Sequence, residues 1–484
     1  VTDDRAESLA ETLNHFVTIL SGGDSDAQAM LGKLQQMRAF IETRFETLHY
    51  LSHGIDRPPS ASRAADLVEL NWRLRRYLIE EMSRPGKGER ESKEALDLTV
   101  RAASVDKRIY QAGGDDDRAV NIEKDDLRPL ALSVRYFSGR MNSMIAQPTW
   151  HSAKSSVDTN AVFHSGTLRT RSSAAKACQR LGLELMPEPK GESYAVARWR
   201  QLQKAMTTVF DLRVKKGPDL AAVCYELGIA LTIGKPVVVL VAHDQIMPFD
   251  VDVDPVKLED DRKELDQIAS AIDQSLVWTY PRAASDMTPK TLEYVLGLYR
   301  RPHPDTYVDQ TLRMLAELRD AHDSFAATQT LSKLVDFLND GRTMLIQPVW
   351  PPVYSGVPDL RLFHVMPYRP KWANAVTESV RMICQGASIS YIRGDEVEEP
   401  DVIRSIWQEI VRATHVLVDL TGFNPNVALE LGIAHALGKK ALLVGQDDTV
   451  ENLFSSIRKV RVQKYDAEKL KQTLGVAVKK FVSP

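Results

Sequence analysis

Residues 424–439 read NPNVALELGIAHALGK, and 204 positions earlier residues 218–235 read PDLAAVCYELGIALTIGK. The pentapeptide ELGIA is common to both. It is headed by Glu226 and Glu430, followed by Gly234 and Gly438, with Lys235 and Lys439 after each glycine. Ahead of the later copy stands HVLVDL, a β-branched and Leu-rich run suited to a buried parallel strand. Asp419 falls at the strand end, Asn424 suits an N-cap, Pro425 the first helical position and Gly438 a C-cap. Strand, loop and helix in this order are the unit of a parallel sheet. Helical spacing places Val427, Leu431, Ala434 and Leu437 on a sheet-packing stripe with Glu430 inside it, and Val223, Leu227, Ala230 and Ile233 on the matching stripe with Glu226.

The similarity extends outward from this helix. MIAQPTW (Met144–Trp150) returns as MLIQPVW (Met344–Trp350), and Phe163-His164 returns as Phe363-His364. Trp199 and Asp211 return as Trp407 and Asp419. A long internal repeat decides the architecture before any single motif does. In the second copy LRLFHVM, SISYI, HVLVDL and KALLVG read as strands separated by helical stretches. The expected fold is α/β: two flavodoxin-like doubly wound parallel sheets in tandem, each preceded by an α-helical segment. The expected boundaries are a helical domain over 1–150, a first α/β domain over 155–255, a helical connector over 256–350 and a second α/β domain over 358–484. The helical segments, exemplified by LGKLQQMRAFIETRFETLHYL and TLRMLAELRDAHDSFAATQTLSKLVDFL, are expected to pair the sheets or to build a homo-oligomer.

Composition excludes several classes. The chain has 484 residues, 43% apolar and 26% charged, which is ordinary globular usage. With 62 basic against 65 acidic residues the formal charge is -3, so no excess positive field draws in nucleic acid. No run of about 18 apolar residues is present, and Val1–Ala10 lacks the apolar core of a secretion signal, which predicts a cytoplasmic protein without a membrane span. Cys178, Cys224 and Cys384 are widely spaced with no C-x-x-C and no histidine at ligand spacing. Neither a disulfide framework nor a metal site is expected.

A carboxyl facing a sheet near the start of a helix is costly unless it meets donors. Glu430 has no Lys or Arg three or four residues away. One reading is structural, with the glutamate locking the strand-to-helix turn. The other is functional, with Asp419, Asn424 and Asn426 converging beside it on a ligand.

The N-P-N-V loop followed by E-L-G-x-A-x-A-x-G-K resembles the nucleoside 2-deoxyribosyltransferase-like group and the related Toll/interleukin-1-receptor-like nucleotide hydrolases. FHVMPYRPKW resembles the group's first strand and loop, and YIRGDE its second strand end. The resemblance covers about 120 C-terminal residues, more weakly residues 160–255, and none of the helical segments. It implies that Glu430 acts at the anomeric carbon of a sugar, as nucleophile or as stabiliser of an oxocarbenium-like transition state. It implies that Asp419 is a second carboxylate, that Asn424 and Asn426 hold sugar hydroxyls, that Met366, Pro367 and Tyr368 wall the base, and that Arg393 and Asp395 flank the site. In the first copy the asparagines are absent. Glu226 and Asp219 remain, Ser165 and Gly166 suit a phosphate cradle, and Lys215 and Lys216 add positive charge. That copy is a second active site, a regulatory nucleotide pocket or a structural relic. The implied function is cleavage or transfer of an N-glycosidic bond of NAD or of a nucleoside or nucleotide, without metal or cofactor, and nucleotide depletion in antiviral or stress defence is one use of such proteins. The alternative is a non-catalytic, nucleotide-sensing tandem that controls assembly or a partner.

Overall fold

The computed structural model describes residues 63–82, 89–112, 115–139, 144–146, 148–150, 157–189, 194–249, 251, 253–258, 263–276, 344–350, 360–396 and 402–483. The chain divides into two compact units, residues 1–87 with 95–119, and residues 88–94 with 120–484. In the smaller unit, helix α1 (Arg63–Met82) meets α2 (Glu89–Ala112). Asn71 donates to the Ala102 carbonyl (2.6 Å) and to Asp106 (2.6 Å), and Arg75 pairs with the same aspartate. Burial raises the Asp106 carboxyl above its usual range, against the pull of Arg75.

The larger unit holds both sheets. Helix α3 (Asp116–Ile122) passes through a π-helical turn (Glu123–Leu127) into α4 (Arg128–Gly139), and β1 (Met144–Ala146) follows. The first sheet is built from β2 (Asp158–Ser165), α5 (Leu168–Arg180), β3 (Glu184–Leu185), α6 (Tyr194–Lys204), β4 (Ala205–Asp211), α7 (Pro218–Ile233), β5 (Val237–Ala242), β6 (Val256–Leu258) and α8 (Glu264–Ser275). After β7 (Met344–Ile346), the second sheet repeats the plan. It comprises β8 (Arg361–Val365), α9 (Ala373–Gly386), β9 (Ser390–Arg393), α10 (Val402–Arg412), β10 (His415–Asp419), α11 (Pro425–Leu437), β11 (Lys440–Gly445), α12 (Asp447–Glu451), β12 (Val462–Lys464) and α13 (Leu474–Val482). The strand orders are β3-β2-β4-β5-β6 and β12-β11-β10-β8-β9, all parallel within each sheet. Both are the doubly wound order 2-1-3-4-5, as expected. Its ligand position is the switch point between the first and third strands, at their carboxyl ends. The fifth strands, β6 and β12, are three residues each and were not foreseen, because VKL and VQK are too short and polar to stand out.

Two sequence-based boundaries shift. Arg128 of α4 donates to Asn160 of β2 and to the Leu181 carbonyl (2.5 Å each), and Arg135 donates to the Met206 carbonyl (3.1 Å), so residues 120–139 pack with the first sheet. Helix α8 does the same, with Ile268 and Ile272 in one core with Val238 and Leu240. Residues 1–62 and 277–343, where helices and an oligomer interface are expected from the sequence, lie outside the described residues.

The repeated helix is not a one-sided stripe. Val427–Leu437 of α11 and Val223–Ile233 of α7 are buried on every side. One side faces the sheet, and the other meets the repeat partner, α7 against α11. At the crossing, a Cβ placed on Gly228 would stand 2.2 Å from the Leu429 carbonyl oxygen, and one on Gly432 would stand 2.1 Å from that of Tyr225. The two contacts are reciprocal, because Tyr225 and Leu429 hold the same place in the repeat. A pseudo-two-fold therefore relates the copies, and other pairs obey it. β1 and β7 pair antiparallel with Met144 opposite Ile346 and Ala146 opposite Met344. Thr149 N donates to the His435 carbonyl (3.0 Å), and Val349 N to that of Leu231 (3.1 Å). Trp150 lies on Trp199 and Trp350 on Trp407, with ring centroids at 5.3 and 5.2 Å. Lys235 reaches the Gln203 and Ala205 carbonyls (2.5 and 2.8 Å), and Lys439 reaches those of Val411 and Ala413 (2.5 and 3.2 Å). The lysine after each C-cap glycine, buried in the first copy and half-buried in the second, is thus a strand-start clamp.

Gly228→Ala and Gly432→Ala each force the helices apart and are expected to destabilise the protein by about 1–3 kcal/mol or more, the range for overpacking. Alanine at exposed Gly386, where nothing stands within 4 Å, is the control. Thermal midpoints of the three variants provide the measurement, and equal midpoints would contradict the crossing.

Candidate active site

At the switch point of the second sheet, β8 is followed by Met366-Pro367-Tyr368, β10 ends in Asp419, and α11 brings up Glu430 from its second turn. Asn424 is the N-cap, its side-chain oxygen accepting from Asn426 N at 2.8 Å, and Gly438 closes the helix in the left-handed region (φ 72°). Phe423 also has positive φ (53°), an unusual conformation for a non-glycine residue that sharpens the turn into the helix.

Glu430 is 4% exposed and its Oε2 has no hydrogen-bond partner. Burial alone pushes its carboxyl up to about 8. At neutral pH it is therefore mainly protonated and able to donate. Tyr368 stands close enough to feel it: burial first, and the Glu430 carboxyl next, raise the Tyr368 hydroxyl. The Tyr368 ring remains 37% exposed while its hydroxyl tucks against Gly394. Arg393 lies over that ring (5.7 Å to its centroid), pairs with Asp395 and donates to Thr377 (2.8 Å).

Other expected residues take different places. Asp419 is fully buried and both its oxygens are taken: Oδ1 accepts from Thr421 N (3.0 Å) and Thr421 Oγ1 (2.6 Å), Oδ2 from Tyr465 (2.6 Å). Burial raises its pKa while these donors lower it. Its geometry is that of a loop anchor. Met366 is a core residue, 1% exposed, packed with Leu362 and Val376 and touched by Thr377 Oγ1 (3.5 Å). Pro367 is buried beside it, and Asn426 is exposed.

In the first copy the same glutamate is engaged. Arg198 of α6 grips Glu226 through both oxygens (2.8 and 2.6 Å), and Ser456, from the other copy, donates to Oε1 at 3.2 Å. Arg198 further donates to the His164 carbonyl (2.8 Å), and its guanidinium lies 3.9 Å from the centroid of the Phe163 ring. Asp219 is exposed on the rim of a cleft of about 470 Å³ shared with residues 450–458. Ser165 is buried, and Gly166 (φ 156°) leaves no room for a Cβ, which would stand 2.6 Å from that of Asp211. Lys215 and Lys216 are exposed.

Arg198, Ser456 and Tyr465 were not foreseen. Arg198 was legible in principle: ARWRQL and SIWQEI align on Trp199 and Trp407, which sets Arg198 against Ile406. Ser456 carries no such signal, because the loop that presents it has no counterpart of equal length. No protein-family model, curated protein or solved structure matches the chain. Among the described residues no group of three His, Cys, Asp or Glu side chains is arranged to hold a metal ion, and no helix is long and apolar enough to cross a membrane.

Because folding raises the Glu430 pKa from 4.5 to about 8, its contribution is fully present below pH 4.5 and is lost as the pH rises towards 8. Glu430→Gln is expected to match wild type in stability near pH 4.5 and to exceed it by ~5 kcal/mol at pH 9. Unfolding midpoints across that range measure the difference, and parallel profiles would show that Glu430 is not a buried, unpaired carboxyl.

Proposed function

We propose that the second α/β copy cleaves or transfers an N-glycosidic bond of NAD or of a (deoxy)nucleoside or nucleotide, with Glu430 as the reacting carboxyl. The observation that carries the reading is the contrast between the two glutamates: Glu226 is bound by Arg198 and Ser456, whereas Glu430 is buried at a switch point with an oxygen left over. Only the second is available to a substrate.

Breaking the bond from the sugar C1′ to the base nitrogen sends the electron pair out with the base and leaves positive charge on the sugar. An ionised carboxylate in an apolar surround stabilises that charge, or bonds to C1′ before water or a second base takes the sugar. Resting Glu430 holds a proton, and approach of a cationic centre favours its release. In this reading Tyr368 stacks on the base, a role supported by its part-exposed ring beside this carboxyl and by Arg393, which lies over the ring and pairs with Asp395. In this reading Asn424 and Asn426, at the start of α11, hold sugar hydroxyls. Asp419 acts in this reading by holding the Thr421 turn. A nucleotide-sensing tandem without turnover is the second reading, favoured by the Ser456–Glu226 bond that ties one copy's loop to the other's helix. Assembly through the helical segments and a part in stress or antiviral defence belong to either reading.

Incubating the full chain with NAD and a panel of nucleosides and nucleotides, and measuring free base by chromatography, tests the proposal. Wild type is expected to release base. Glu430→Gln is expected to lower turnover by about 10²–10⁴-fold, and Glu226→Gln to leave turnover within about threefold if its fold is kept. Absence of base release from every compound, with unchanged ligand binding by Glu430→Gln, favours sensing. Loss of turnover in Glu226→Gln alone moves the chemistry to the first copy.

A further inference from the structure

In the first copy one side chain satisfies three groups at once. The Arg198 guanidinium is held by the Glu226 carboxylate, by the His164 backbone carbonyl and by the face of the Phe163 ring. All three partners recur in the second copy, as Glu430, His364 and Phe363, and all three residues are buried there. The cation does not recur. Trp199 and Trp407 stack on equivalent tryptophans at nearly equal distances and tilts (33° and 32°), so the helices carrying them are in register, and Ile406 holds the Arg198 position. Isoleucine extends only as far as the arginine Cδ and brings no charge. The loop that carries Ser456, the remaining partner of Glu226, corresponds to the shorter loop between β5 and β6, residues 243–255, which includes Val251 and contains no serine or threonine. Val251 is buried in the same core as Ile406 and Val427.

We infer that the second copy carries a binding site for a planar organic cation, formed by the Glu430 carboxyl, the His364 carbonyl and the Phe363 ring, and that Arg198 fills the equivalent site of the first copy as a built-in occupant. Flat cations of this kind are guanidinium and pyridinium groups. A carboxylate opposite an aromatic face suits them, through charge pairing and cation–π attraction strengthened by the dry surround. The first copy shows that the cradle closes on such a group with both carboxylate oxygens engaged. Glu430 Oε2, buried and unpartnered, is the acceptor left over when the arginine is replaced. The site is that of the proposed glycosidic chemistry, and the inference rests on that reading only in taking a nicotinamide ring or the reacting sugar as the natural cation.

Two probes suffice, methylguanidinium and the ring-methylated pyridinium cation 1-methylnicotinamide, each titrated calorimetrically into the full chain. Saturable binding of one probe per chain is expected, weakened at least tenfold by Glu430→Gln and by Ile406→Arg, and unchanged by Glu226→Gln. The Tyr368 hydroxyl feels Glu430, and α10 carries uncharged Ile406 at the place where α6 carries Arg198, so the carboxyl's own proton governs the pH response. Affinity is expected to be about tenfold higher at pH 9 than at pH 7, with release of a proton on binding at pH 7. Should Ile406→Arg fail to fold, Ile406→Ala is the second variant, and it is expected to keep or tighten binding. Equal affinity of wild type and Glu430→Gln, or binding independent of pH, overturns the inference. Binding with these features but without base release from any nucleotide upholds the cation site and removes the glycosidic reading.

Discussion

The crossing of α7 and α11 is the constraint on which the larger unit depends. Two helices from different sheets approach until a backbone carbonyl lies where a side chain would begin, at Gly228 and again at Gly432. Only glycine permits that approach, and dispersion contacts over two helices buried on every side reward it. The glycine in each ELGIA is therefore explained by packing between the copies. The β1–β7 pair, the stacked tryptophans and the lysine clamps surround this crossing with the same pseudo-two-fold.

The glutamate beside each glycine is where the symmetry breaks. Around Glu226 the chain supplies an arginine from its own copy and a serine from the other, and the carboxylate is satisfied. Around Glu430 the arginine position holds Ile406, and the carboxyl stays protonated because an unpaired charge in an apolar surround is expensive. The same strand order thus surrounds a locked ion pair in one half and a buried carboxyl with an unpartnered oxygen in the other.

Much of this was legible in the sequence. The repeat, the α/β class and the strand–loop–helix around Asp419 and Glu430 follow from periodicity and capping residues, and Asn424, Pro425 and Gly438 stand where the local pattern put them. Legibility fails where contacts are long-range. Asp419 read as a free carboxylate because Tyr465, which saturates it, lies in a different loop, and Met366 read as a pocket wall because its neighbours in the core come from α9. The stripe on α11 read as one-sided because nothing local marks a helix whose second face is covered by another copy of itself.

The sequence by itself determined the elements and their repetition, since hydrophobic period, caps and breakers act within a few residues. Tertiary structure decided which glutamate is paired. That depends on Arg198 and Ser456 meeting Glu226 across 28 and 230 positions of chain, and on Ile406 bringing no charge to Glu430. Electrostatics in a dry interior is set by what stands within a few ångströms in space, and the sheet topology and the glycine crossing place those neighbours.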